Sequence, residues 1–146
     1  MKAVGWARSF PVSQGVKAGR DWAREHLALL GWTERAPDTA DDVVIAVSEL
    51  ITNAHVHAHS DAHVVLVWDG RCLRVSVGDS SQETPTTKEP DAERTSGRGM
   101  ALVEALADDW ETHTRPVGKT VTAAFSFELP GAPVETRPAA GQKCPD

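Results

Sequence analysis

The sequence predicts an α+β fold, a two-layer sandwich in which strands pair antiparallel and helices cross one side of the sheet. Two observations carry most of this. The β-branched runs "AHVVLVW" at 62–68 and "RCLRVSVGD" at 71–79 are separated only by Asp69-Gly70, a strong hairpin signal. Ahead of them, apolar residues recur at helical spacing over two separate stretches. The predicted order is strand, two helices, two strands, a long polar segment, a helix and two closing strands.

Each element has a local reason. "AVGWARSF" at 3–10 reads as a first strand, and Pro11 and Ser13 as the approach to a helix. Val16, Ala23, Leu27 and Leu30 mark its apolar side until Gly31 stops the pattern. Pro37 and Asp38 open a second helix, roughly 39–58, with Asp41 and Asp42 expected in its first turn, where the helix's partial positive charge favours carboxylates. At 100° per residue, Val44, Val47, Ile51, Ala54 and Ala58 share one arc, widened by Val43 and Leu50. The segment 80–96, "SSQETPTTKEPDAERTS", is polar, proline-bearing and aperiodic, as lids and binding loops often are. "SGRGMALVEALADDW" then starts a helix with Met100, Val103, Leu106 and Ala107 at helical spacing. "WETHTRP" and "GKTVTAAFSFEL" close the fold as a strand pair. One domain over 1–129 and a disordered tail over 130–146 follow.

Composition narrows the function. A chain of 146 residues with 40% hydrophobic content can bury a single core. Its charge of -6, from 21 acidic and 15 basic residues, comes with no basic run, which argues against direct contact with DNA or RNA. No apolar stretch reaches membrane-spanning length, and "MKAVGWARSF" lacks the apolar segment of a signal peptide, so a cytoplasmic location is expected. Cys72 and Cys144, with no CxxC spacing, support neither a disulfide framework nor a zinc ribbon.

The stretch "SELITNAHVHAHS" at 48–60 poses the sharpest question, because H-x-H-x-H suggests a metal cluster. On a helical wheel, Glu49, Asn53 and His57 form a polar stripe roughly opposite the apolar arc. His55 points to the side of Val44, and His59 lies further round. Zinc ligands must converge at about 2 Å from one point, and these histidines diverge. They are expected as surface or helix-end residues, with His57 able to border a site. Gly97-x-Gly99 could present backbone N–H groups to phosphate or simply end a loop. Glu49 and Asn53 could be a solvated stripe, and Asp79 a turn residue.

Taken in order, these motifs resemble the GHKL ATPases, most closely the anti-sigma-factor serine kinases and their actinobacterial relatives. "ELITNAHVHA" at 49–58 is similar to that family's asparagine-bearing helix, and "VGD" at 77–79 to its adenine-recognition strand end. "GRGMALV" at 97–103 is similar to its glycine-rich lid end, and "GKTVTAAF" at 118–125 to its closing Gly-x-Thr strand. The resemblance covers about residues 8–128.

It implies a Bergerat-type fold, with ATP and Mg²⁺ as cofactors. Asn53 would then be a metal ligand, Asp79 would accept a hydrogen bond from the adenine amino group, and Thr120 would add a hydroxyl beside the ring. Gly97, Arg98, Gly99 and Met100 would cradle phosphates, with Arg94 reaching the terminal one. Glu49 would orient or deprotonate an attacking hydroxyl. The implied partners are a sigma factor and an anti-sigma-factor antagonist phosphorylated on serine or threonine, with a homodimer possible. One departure stands out: the family commonly continues as Asp-x-Gly-x-Gly, whereas "SSQETP" follows Asp79 and no glycine precedes Gly97. A non-catalytic, nucleotide-dependent partner-binding module is the alternative.

Overall fold

The computed structural model describes residues 3–80 and 101–126. In chain order these form β1 (Val4–Phe10), α1 (Lys17–Leu29), α2 (Trp32–Arg35), α3 (Pro37–Thr52), β2 (Ala62–Trp68), β3 (Cys72–Gly78), a helical segment at 101–106 (α4), β4 (Asp109–Thr114) and β5 (Lys119–Ser126). The strands make one sheet in the order β1-β2-β3-β5-β4, with every neighbouring pair antiparallel. This is the predicted α+β architecture.

Alternation along the strands decides where the core lies. Register sets Leu66 opposite Val75 and Val75 opposite Ala123, so one face of three central strands is continuously apolar. Those residues are fully buried, together with Phe10, Leu73 and Phe125. Helix α3 packs on this face against β3 and β5, and α1 packs beside α3. Trp32 on the one-turn helix α2, which periodicity did not predict, meets Trp68 of β2 edge-on at 5.2 Å between ring centroids. Its burial explains why so short an element forms after Gly31.

Helix α3 starts at Pro37, where the missing N–H costs nothing because first-turn amides have no intrahelical acceptor. Asp38, rather than Asp41 and Asp42, therefore occupies the first turn. Beyond Thr52 the helix widens into a π turn over Asn53–His57, closed by the Ala58 N–H donating to the Asn53 carbonyl at 3.2 Å. His55 is buried rather than at the surface as expected: the wheel sets it beside Val44, which itself lies in the core, and its Nε2–H donates to the Phe10 carbonyl at 2.8 Å. That bond ties the end of β1 to the end of the long helix.

The Asp69-Gly70 hairpin forms as predicted. Asp69 Oδ1 accepts from the N–H groups of Arg71 and Cys72, both at 2.9 Å, and Gly70 takes φ +95° at the first central position. Burial alone would raise the Asp69 pKa, but the two amides and the nearby Arg74 outweigh it and hold the carboxyl below its ordinary 3.8. Cys72 is disulfide-bonded, which the cysteine spacing did not predict.

Two outcomes follow. Asp69→Ala is expected to lower stability by about 1–2 kcal/mol near neutral pH. A carboxyl with a depressed folded pKa stabilises above its unfolded pKa, so the gap between variant and wild type should close as pH falls through the folded value. Urea melts across that range measure it. His55→Ala strands the Phe10 carbonyl and should cost about 1–3 kcal/mol in the same melts, while leaving ligand binding by the folded protein nearly unchanged.

Candidate functional site

Strand β3 ends at Gly78, and the next residue, Asp79, is only 4% exposed. Pairing with β5 places it. The Asp79 N–H donates to the Lys119 carbonyl at 2.9 Å, and the Lys119 N–H donates back to Asp79 Oδ1 at 3.3 Å. The Lys119 ammonium lies 3.5 Å from Oδ2, and Arg115 Nη2 donates to the Asp79 carbonyl at 2.9 Å. A carboxylate this deeply buried is costly unless it is paired and hydrogen-bonded, and these groups meet both needs.

The β4–β5 turn approaches so closely that its glycine has no substitute. Gly118 has φ +80°, and a Cβ there would overlap the Asp79 carbonyl oxygen and lie 2.7 Å from Oδ1. Gly78 serves similarly on the other strand: it pairs with Thr120, and a Cβ on it would crowd Thr120 Oγ1 at 3.3 Å and Arg115 Nη2 at 3.2 Å. Thr120 thus presents its hydroxyl beside the strand end that carries Asp79. The register brings together two residues that lie 41 positions apart in "GD" and "KT".

A second stitch joins this strand end to the long helix. Ser60, just past the π turn, donates its N–H to the Ala54 carbonyl at 3.0 Å. Its hydroxyl accepts the Ser80 N–H at 2.8 Å and donates to the Asp61 carbonyl at 2.7 Å. The turn carrying Asn53 and the exit of β3 are therefore held to one another.

Along α3 the polar residues separate. Asn53 is half-buried at the start of the π turn and His57 half-buried at its end. His59 is exposed with φ +51°. Glu49 does not lie on an open solvated stripe: it is half-buried and lines a cleft of about 350 Å³ between α1 and α3, with Arg20, Arg24, Asp41, Val44, Ile45 and Ser48. Arg20 Nη1 donates to Ser48 Oγ at 3.4 Å across it. Among the described residues, no group of three His, Cys, Asp or Glu is placed to hold a metal.

The structure therefore gathers Asp79 and Thr120 at one strand end and tethers the Asn53 turn to it through Ser60. It sets Glu49 in a cleft of its own. Arg94, Gly97, Arg98, Gly99 and Met100 lie outside the described residues, as does the 130–146 tail. Sequence reasoning missed Arg115, Lys119 and Ser60, whose part depends on contacts across strands. Gly118 carried a signal, a lone glycine two residues before Thr120, but not its reason.

No helix among the described residues is long and apolar enough to cross a membrane. No curated protein matches the chain. Residues 14–125, from the turn before α1 nearly to the end of β5, match the model of the histidine kinase-like ATPase domain. A match over that much of the chain, on a five-stranded antiparallel sheet layered with helices, means that this protein belongs to the histidine kinase-like ATPase domain family.

Proposed function

We propose that the protein is an ATP-binding, anti-sigma-type regulator that phosphorylates a serine or threonine of an anti-sigma-factor antagonist. Membership in an ATPase-domain family implies the ATP; the rest is our reading. The observation that supports it most is the buried carboxylate at the end of β3. Asp79 is a hydrogen-bond acceptor fixed by β5 and flanked by the Thr120 hydroxyl, which suits an exocyclic amino group such as that of adenine. A carbonyl in place of that amino group would face the carboxylate, so guanine is disfavoured.

Asn53 offers a neutral side-chain oxygen of the kind Mg²⁺ accepts alongside phosphate and water. When bound, ATP supplies the transferable phosphoryl group. The protein's part is to hold the acceptor and manage its proton. Glu49 lies one turn before Asn53 and lines a surface cleft, so an incoming hydroxyl can reach its carboxylate, which would orient the hydroxyl and take its proton. Positioning and charge stabilisation dominate phosphoryl transfer, so one such carboxylate suffices. In this reading Gly97, Arg98, Gly99, Met100 and Arg94 meet the phosphates. His57 borders the site, and a sigma factor and its antagonist are the partners of a cytoplasmic protein.

One observation favours a second reading. No glycine stands between Asp79 and Gly97, where the family pattern commonly has Asp-x-Gly-x-Gly, as suits a non-catalytic module that binds its partner in a nucleotide-dependent way.

A hydrogen bond to a charged group contributes about 1.5–3 kcal/mol, so Asp79→Ala should weaken ATP roughly 10- to 150-fold by calorimetry. GTP should already bind poorly to the wild type; equal competition by GTP would remove Asp79 as the adenine reader. Glu49→Ala separates the two functions. It should bind ATP nearly normally yet lose about 10²- to 10⁴-fold in phosphorylation rate, whereas Asn53→Ala should lose both. Wild-type protein saturated with Mg-ATP that leaves a bound antagonist unmodified by mass spectrometry would establish the module instead.

A further inference from the structure

We propose that the β4–β5 turn is a nucleotide-selectivity element in which Arg115 is a positioning residue for Asp79, an inference that rests on Asp79 being the adenine reader.

The last ladder pair is Gly78 with Thr120, and the strand ends there. Asp79 keeps its N–H bond to the Lys119 carbonyl, but the peptide that follows it lies past the ladder, and side chains hold it there. The peptide between Asp79 and Ser80 is held at its oxygen by Arg115 Nη2, at 2.9 Å, and at its N–H by Ser60 Oγ, at 2.8 Å. A peptide unit is planar, so fixing both its ends fixes the Asp79 ψ angle and the direction in which the chain leaves the site.

The two anchors come from different parts of the fold. Ser60 lies just past the α3 π turn, and Arg115 belongs to the turn that Gly118 closes, where the Arg115 N–H donates to the Gly118 carbonyl at 3.0 Å. The same turn also holds the carboxylate, through the Lys119 N–H on Oδ1 and the Lys119 ammonium near Oδ2. Three residues of one hairpin, Arg115, Gly118 and Lys119, therefore set the height, rotation and charge environment of Asp79. Arg115 does so while exposed, without being buried for packing. A guanidinium spent on a backbone carbonyl at a strand end is unnecessary for sheet stability, since the β3–β5 ladder is already complete from Cys72 to Gly78. What it adds is orientation of the buried Asp79 carboxylate.

The consequence is specific. Loss of Arg115 should blunt recognition of the amino group and spare the rest of the nucleotide. The probe pair is ATP and purine riboside triphosphate, which lacks the 6-amino group, measured by calorimetry with the full chain and Mg²⁺. Arg115→Met should weaken ATP by roughly 5- to 20-fold, the span expected for loosening a charge-assisted contact, and leave the amino-free nucleotide within about 2-fold. Arg115→Lys, which keeps a donor on a shorter reach, should recover part of the difference. Gly118→Ala, which pushes a methyl into the Asp79 carbonyl, provides an independent arm and should narrow the same ratio. A purely structural role would lower both affinities together or shift only the melting temperature, and either result overturns the proposal. Wild type and Asp79→Asn keep the two ideas apart. If wild type binds the two nucleotides equally, the adenine-reader assignment fails and this inference with it. If wild type prefers ATP, Asp79→Asn abolishes the preference and Arg115→Met keeps it, then only the positioning role of Arg115 is wrong.

Discussion

Helix α3 buries seven residues, Ala40, Val43, Val44, Ala46, Val47, Leu50 and Ile51, and the remaining geometry of the molecule follows from that one seam. A helix with so much of its circumference in the core can carry polar residues only at its margins. Glu49 is pushed to the margin facing α1, where it shares a cleft with two arginines. The same burial fixes the height of α3 over β3 and β5, so its C-terminal turn arrives near the ends of those strands.

That C-terminal turn is where the helix stops obeying its own period. The π turn at Asn53–His57 adds a residue to the circuit, and within it His55 donates to the Phe10 carbonyl. Such insertions cost hydrogen-bond quality and are frequent at functional positions. Here the widened turn carries Asn53, and Ser60 immediately beyond it grips Ser80. The turn that reads in sequence as a histidine cluster and the serine just beyond it are parts of one device. It joins the helix end to the strand end that holds Asp79.

The other half of the site is built by sheet topology. Because β5 runs between β3 and β4, the β4–β5 turn reaches the same end of the sheet at which β3 stops. Asp79 can be buried there because Lys119 and Arg115 arrive with it, and Gly118 permits the approach because it carries no Cβ. The chain thus places a carboxylate in a low-dielectric setting while supplying the partners that make its burial tolerable. A fixed, directional acceptor results, which is what selective recognition of a ring substituent requires.

Much of this was legible from residues near one another in the chain. β2, its hairpin at Asp69-Gly70 and the apolar side of α3 follow from alternation, turn chemistry and helical period, because those are properties of consecutive residues. So does the family resemblance, which rests on short motifs in order and which the family match bears out at the level of the ATPase domain. What sequence could not decide was anything requiring two distant segments to meet. The hydrogen bond that makes the burial of His55 tolerable depends on a carbonyl 45 residues away. The grip of Arg115 on Asp79 spans 36 residues, and that of Ser60 on Ser80 spans 20. The cleft around Glu49 exists only because α1 lies against α3. Local patterns determined which elements form; the strand order β1-β2-β3-β5-β4 and the packing of α3 decided which side chains share a site, since only tertiary structure sets distances between residues far apart in the chain.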